Sequence, residues 1–412
     1  MLESLFPRSH AVYSSLPILG SSLEGLARWL CAQGYPRDAI QRRLRTTVVL
    51  VRQLRRDGVT SPKDLTTSIL RSHAPAPRPS NAPALGALVR SLTRYLGDQG
   101  ALAPSVPTPA ERSVARYSDY LARVRGLRAG TIVAHAATAS EFLRVLEFDA
   151  HPERLRNLRG ADLEAFISKV GGRVGRGRLA HVTSALRAFL RFLAVSGEAP
   201  AGLDAQVASP RIYRGERLPR ALSSDAVRTF LGGIDRATRK GLRDFALFTL
   251  MATYGLRCVE VCNLDLDDVA WRTRELRLPG SKGGAARTVP LFDDVATALL
   301  AYLREGRVPA ATRRLFLRVA APVGPIGSAA VWNAFATWTR RAGVALPPRG
   351  GPHCLRHAFA MRMLRQGTSL KTIGDLLGHR NAESTEVYIR LDVNGLREVA
   401  LPLPALGRAV PS

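Results

Sequence analysis

Between His353 and Tyr388 the chain reads HCLRHAFAMRMLRQGTSLKTIGDLLGHRNAESTEVY. His353 and Arg356 stand three apart, His357 follows, His379 comes after Gly378, and Tyr388 lies nine residues beyond His379. These residue types handle protons and anions. Arginine presents forked N–H donors that fit oxyanions, histidine exchanges protons near neutral pH, and a phenol with a pKa of about 10 becomes a nucleophile only where neighbours take its proton. Taken singly, each has a plainer reading. A His-x-x-Arg pair suits a solvated helix face, and a lone tyrosine suits a half-buried core position. The combination asks for an explanation.

The elements that position the set can be read around it. Gly350, Gly351 and Pro352 make a helix start that puts His353 and Arg356 on one face, one turn apart. LKTIGDLL is a second helix, capped by Gly378, which directs His379 from its end; Tyr388 falls on a further short helical segment. Upstream, GLRDFALFTLMATYG is helical and GLRCVEVCNL continues as a second helix. RELRLPGSKGGAARTVPL predicts a β-hairpin or three short strands turning at Lys282-Gly283-Gly284, after which helices resume from DDVATALLAYLREG. The last 190 or so residues are therefore an α+β domain.

Helical periodicity also governs what precedes. From about Val114 to Gly197 the periodicity predicts four helices joined by Gly-bearing turns, a compact bundle. GGRVGRGR, Gly171 to Arg178, reads as a basic inter-helix loop, because it lacks the Lys-Ser/Thr of a phosphate loop and no strand precedes it. Residues 203–224 are irregular and basic, a linker after which Ser223 or Ser224 caps a helix. Near the N-terminus, SLEGLARWLCAQGY, RDAIQRRLRTTVVLVRQLRRDG and SPKDLTTSILRS, with Ser61 as cap, form a small helical module, and HAPAPRPSNAPALG interrupts it as a Pro/Ala-rich linker. The expected fold class is mostly α with a small β-sheet. The expected organisation is a helical N-terminal extension with linker (1–105), a helical module (106–202), a basic linker (203–222), an α+β domain (223–395) and a C-terminal tail (396–412).

Composition narrows the partner. A formal charge of +27 on 412 residues favours a polyanion, most simply nucleic acid. Lys63, Lys169, Lys240, Lys282 and Lys371 are the only lysines, so the charge is nearly all arginine. No apolar run reaches 18 residues, and the first 20 residues lack a secretion signal's compact apolar core, so no membrane is expected and a cytoplasmic location is. Cys31, Cys258, Cys262 and Cys354 are too few and irregular for a disulfide scaffold. Cys258 and Cys262 with His353 or His357 would supply zinc-type ligands, but paired C-x-x-C knuckles are absent and small thiols commonly sit in cores. LDLDD, Leu264 to Asp268, reads as the turn after a helix rather than a metal site.

H-x-x-R-H, then L-L-G-H, then a tyrosine nine residues on resembles the tyrosine recombinase, or phage integrase, family of site-specific DNA recombinases. Upstream, TYGLRCVEVCNLDLDDV resembles the family's box with a first arginine, Arg257, and a glutamate, Glu260, three residues later; GSKGGAARTVPL resembles its strand-turn lysine, Lys282. The resemblance spans about residues 112–395, a SAM-like core-binding domain and a catalytic domain, and leaves residues 1–105 unexplained. Two departures stand out. Ala285 and Ala286 occupy positions where a second basic residue is common, and Cys354 stands where an acidic or small polar residue is common.

The resemblance implies a catalytic set of Arg257, Lys282, His353, Arg356, His379 and Tyr388. Tyr388 would be the nucleophile and His353 would assist removal of its proton. Arg257 and Arg356 would neutralise the phosphorane oxygens, His379 would hydrogen-bond the phosphate, and Lys282 would protonate the departing 5′ oxygen. Glu260 would orient helix and arginine. The product would be a 3′-phosphotyrosine and a free 5′ hydroxyl, with no metal or other cofactor. The partners implied are double-stranded DNA and a homo-tetramer on paired sites, joined in some systems by other recombinases of the same mobile element. Two alternatives share the fold: a catalytically silent DNA-binding accessory protein, and a type IB topoisomerase-like enzyme that relaxes DNA without a defined site.

Overall fold

The computed structural model describes residues 1–73, 84–104, 106–211, 221–280 and 286–379, together with Thr385 and Tyr388. Two compact units form the chain. One comprises residues 65–69 and 102–216; the other comprises residues 1–64, 70–101 and the segment from 217 onward.

The first unit is built on four helices, Pro109–Arg123, Ala129–Val145, Gly160–Gly171 and Arg176–Val195. The first begins with a capping box: the Thr108 hydroxyl accepts the Glu111 N–H at 3.2 Å, the Glu111 carboxylate accepts the Thr108 N–H at 3.0 Å, and Pro109 presets the first turn. Apolar residues at helical spacing then meet inside. Tyr117, Phe142, Phe166 and Phe189 are each 0% exposed, and burying side chains of this size stabilises by about 1.5–3 kcal/mol each. The basic loop expected over residues 171–178 is shorter than the sequence suggests. Arg176 to Arg178 already belong to the fourth helix, entered through extended Gly175. The irregular segment expected from residue 203 opens with a short helix, Leu203–Gln206, and Val207 is buried, its carbonyl taken by Arg187 Nη2 at 2.6 Å.

At the N-terminus the expected long amphipathic helix divides into Arg37–Arg45 and Thr47–Arg56, after Gly20–Ala32. Ser61 caps only a 3-10 turn, Pro62–Asp64; the helix Thr67–Ser72 is entered from Thr66, whose hydroxyl accepts the Ile69 N–H at 3.1 Å. The helix Ala84–Asp98 was hidden by the Pro/Ala-rich composition around its start. Past Pro83 nothing breaks it, and Leu88, Val89, Leu92 and Leu96 recur at three- and four-residue spacing on its buried face. The remaining linker residues, 74–83, lie outside those described.

The helix Arg239–Tyr254 forms the spine of the α+β part, with Phe248 between Phe230 and Phe335 in a core that Trp338 completes. Its buried Asp244 is fully satisfied, accepting from Lys240 Nζ at 2.7 Å, Arg243 Nη2 at 2.6 Å and Trp338 Nε1 at 2.8 Å. Such pairing is what makes a buried carboxylate tolerable. Three antiparallel strands in the order β1 (Val269–Ala270), β2 (Glu275–Leu278) and β3 (Arg287–Pro290) follow, with Leu276 opposite Val289. Leu276, Leu278 and Val289 face the core while the alternate residues face out, the period of a half-buried sheet. The turn carrying Lys282 lies outside the described residues. Helices Asp293–Ala301, Ser328–Arg341, His353–Arg365 and Leu370–Leu377 complete the part that positions the site. Among the described residues, no helix is long and apolar enough to cross a membrane.

Candidate active site

The spine helix stops at Gly255, whose φ of +64° places it in the left-handed region that glycine adopts without strain. This turn reverses the chain so that Leu256 enters the core and Arg257 begins the helix Cys258–Cys262. The Glu260 carboxylate folds back over that start. Oε2 accepts the Arg257 backbone N–H at 2.9 Å, and Oε1 accepts Arg257 Nη1 at 2.7 Å. The glutamate side chain is only 1% exposed, so the pair sits where its attraction is weakly screened.

Arg356 reaches the same place from the fourth residue of its own helix, His353–Arg365. Its Nη1 donates to the Gly255 carbonyl and its Nη2 to the Leu377 carbonyl, both at 2.7 Å, and Nη1 stands 3.9 Å from Glu260 Oε2. One buried guanidinium thus ties together the end of the spine helix, its own helix and the last turn of Leu370–Leu377. That last turn carries the negative end of the helix dipole, which suits a cation. Burial, then the neighbouring Arg257 charge, brings the Arg356 pKa down to about 10, so it stays charged at neutral pH.

Gly378, at φ +63°, ends Leu370–Leu377 as the sequence predicts and turns His379 into the site. His379 Nδ1 and the Thr385 hydroxyl are 2.8 Å apart. Burial and the charges of Arg356 and Arg257 lower the His379 pKa to about 4, so the ring is neutral at physiological pH.

Tyr388 is 2% exposed and packs with Phe359, Ala360, Met361, Ile373 and Leu377. Its hydroxyl lies 3.1 Å from His357 Nδ1. Burial raises the phenol pKa, while Arg356 and Arg257 pull it the other way.

Arg257, Arg356 and His379 therefore meet around Glu260 and the Leu377 carbonyl, with Tyr388 against the Arg356 helix. His353 is exposed at the first position of that helix, whereas Arg356 is 3% exposed, so the face expected to present both is divided between solvent and core. The histidine at the Tyr388 hydroxyl is His357, one turn further along. It stood in the quoted motif, and only the rotation of the helix, fixed by how Arg356 buries its fork, selects it. Lys282 lies outside the described residues. Arg287, the first residue of β3, was not singled out by the sequence, yet its Nη2 stands 3.7 Å from Glu260 Oε2.

The described residues contain no cluster of three or more His, Cys, Asp or Glu arranged for a metal. Burial pushes the Cys258 thiol up to about 12, Asp267 is paired with Arg313 at 2.7 Å, and Asp265 with Arg314 at 3.3 Å.

Comparison with known proteins agrees with this architecture. Residues 220–394 match the phage integrase family model, and residues 114–197 match the phage integrase N-terminal SAM-like domain. The protein y4rA of Sinorhizobium fredii, which carries an integrase/recombinase name, is 36% identical over 78% of this chain and 80% of its own length. The tyrosine recombinase XerC of Rhodospirillum centenum is 33% identical over 70% of this chain and 86% of its own. Among solved structures, the XerH site-specific recombinase on its palindromic difH substrate shares the fold with a TM-score of 0.56 at 18% identity, covering 72% of this chain and 97% of that one. A lambda integrase dimer bound to a core site does so with a TM-score of 0.53 at 17% identity, covering 67% and 94%. The chain belongs to the phage integrase family: it is a tyrosine-type site-specific recombinase, acting by transesterification.

Proposed function

We propose that this recombinase cuts and rejoins double-stranded DNA through Tyr388, in the integration or excision of a mobile element. The observation that carries the reading is the Tyr388 hydroxyl, buried beside His357 Nδ1 and next to the helix whose Arg356 joins Arg257 at Glu260. An ordinary phenol, with a pKa of about 10, is ionised in only about one molecule in a thousand at pH 7, which withholds about 4 kcal/mol from unassisted attack, and burial pushes Tyr388 in the same unfavourable direction. A neighbouring imidazole that accepts the proton as the oxygen attacks removes much of that barrier.

In the proposed step the phenolic oxygen forms a bond to phosphorus, its proton passing to His357, with His353 as the second histidine of the helix start. Arg257 and Arg356 neutralise the two charged oxygens of the pentavalent phosphorane, and neutral His379 donates a hydrogen bond to the phosphate. The bond from phosphorus to the 5′ oxygen breaks, and Lys282 gives that oxygen its proton. One phosphodiester replaces another, so the step is close to energetic balance and the freed 5′ hydroxyl of a second strand reverses it. Glu260 is a positioning residue, holding Arg257 through its side chain and backbone at once.

A tetramer on paired sites follows from strand exchange, which brings four cut ends together. The solved relatives include a lambda integrase tetramer bound to a Holliday junction, with a TM-score of 0.52. The reading is tested with two plasmids, one carrying paired junctions of the host element and one carrying none. Recombinant products on the first and an unchanged superhelical state on the second are expected. Relaxation of the plasmid without sites contradicts it in favour of a topoisomerase-like activity.

A further inference from the structure

Arg287 opens β3 five residues beyond Lys282, and no step above uses it. Its side chain is 13% exposed and lies against the turn that presents His379, with Nη1 2.8 Å from where a Cβ on Gly378 would stand. The Nη2 atom is 3.7 Å from Glu260 Oε2, an ion pair beyond hydrogen-bond distance. Both Nε and Nη2 are buried with no hydrogen-bond partner among the described residues. Leaving buried donors unmade costs about 1–3 kcal/mol each and more on a charged group, so a folded protein rarely keeps two on one side chain without a use. Burial lowers the Arg287 pKa, the sign of a charge held where water would otherwise solvate it.

Charge balance points the same way. Among the described residues, Arg257, Arg287 and Arg356 all approach one carboxylate, Glu260, which leaves two positive charges uncompensated there while His379 is neutral. A phosphodiester carries one negative charge, and the phosphorane formed from it carries two. The surplus therefore complements the transition state better than the ground state.

We propose that Arg287 is a third catalytic guanidinium, whose free Nε and Nη2 N–H groups donate to the non-bridging oxygens of the scissile phosphate as charge builds there. The inference rests on the site reading given above and extends it to a residue outside the expected set. The competing role is that of a strut fastening the Lys282 hairpin to Glu260.

The test compares wild type, Arg287→Gln and Arg287→Lys, each as the full chain, for the rate of covalent adduct formation on nicked duplexes. One duplex has an ordinary scissile phosphodiester; the other has a methylphosphonate there, which removes one charged oxygen. Loss of a donor to a developing oxyanion costs about 10²–10³-fold, so Arg287→Gln should slow the phosphodiester by at least about tenfold and the methylphosphonate far less, with Arg287→Lys between. An equal loss on both substrates, or none on either, overturns the proposal. If Arg287→Gln melts at a much lower temperature, Arg287→Lys alone decides. If wild type forms no adduct on either duplex, the site reading fails first, and inorganic phosphate titrated against the arginine Nε–H signals decides the rest. Phosphate that binds several-fold more weakly to the Gln variant keeps Arg287 as a phosphate ligand, and equal binding removes it.

Discussion

Glu260 is the residue on which the cationic side of the site depends. With three guanidiniums around a carboxylate that is 1% exposed, replacing it by Gln leaves like charges facing one another in a poorly screened place. Breaking a buried pair by removing one partner typically costs about 3–5 kcal/mol, so Glu260→Gln should lower the thermal midpoint by many degrees; a melt within a degree or two of wild type would contradict the account. His379 yields a pH prediction. Its folded pKa, about 4, lies below the ordinary histidine value of 6.5. The neutral ring therefore contributes stability that is fully present above pH 6.5 and is lost as pH falls towards 4. A His379 imidazole signal that stays neutral by NMR at pH 5 is expected, and a midpoint near 6.5 would contradict it. Most of this site was legible at the residue level, because phenol, guanidinium and imidazole recur in a motif of defined spacing. What was not legible depends on packing. The choice of His357 over His353 at the Tyr388 hydroxyl follows from helix rotation, and Arg287 becomes visible only when β3 lays it against Glu260.

Two glycines set the elements in place, and one offers the sharper test. A Cβ on Gly255 would stand 2.7 Å from both Leu377 Cδ2 and Phe359 Cδ1, and the backbone there is left-handed. Gly255→Ala therefore combines strain with overlap and should destabilise by more than about 1 kcal/mol, read as a lowered denaturant midpoint; because the Gly255 carbonyl also holds Arg356, cleavage should fall with it. Unchanged stability would mean that the turn relaxes and does not fix Arg356. The Gly378 cap was readable because an apolar helical run stops at a Gly-His step. The short helix Cys258–Cys262 was readable from GLRCVEVCNL, whereas the helix Ala84–Asp98 was harder, since a Pro/Ala-rich start masks a good apolar stripe. The two long strands were foreseen from their β-suited residues; β1, only two residues long, exists because β2 pairs with it through Leu276.

For the whole molecule the dominant quantity is a formal charge of +27. Binding to duplex DNA should be driven largely by counterion release, with log affinity falling linearly in log salt at a slope of about −0.9 per neutralised phosphate. A protein that contacts six to ten phosphates would lose about 10³–10⁵ in affinity between 50 and 200 mM salt. Filter binding across that range checks it, and a flat profile would contradict an electrostatic grip on DNA.

The most direct test of the central claim is a covalent-trapping assay with nicked duplexes drawn from the flanks of the coding sequence, followed by denaturation and peptide mapping, with Tyr388→Phe beside the wild type. The account predicts a protein–DNA adduct that forms without added metal, maps to Tyr388 and is absent in the Phe variant. An adduct on another residue, or one that survives Tyr388→Phe, would contradict it. DNA binding on every flank with no adduct on any would also contradict it, and would leave a DNA-binding accessory protein in its place.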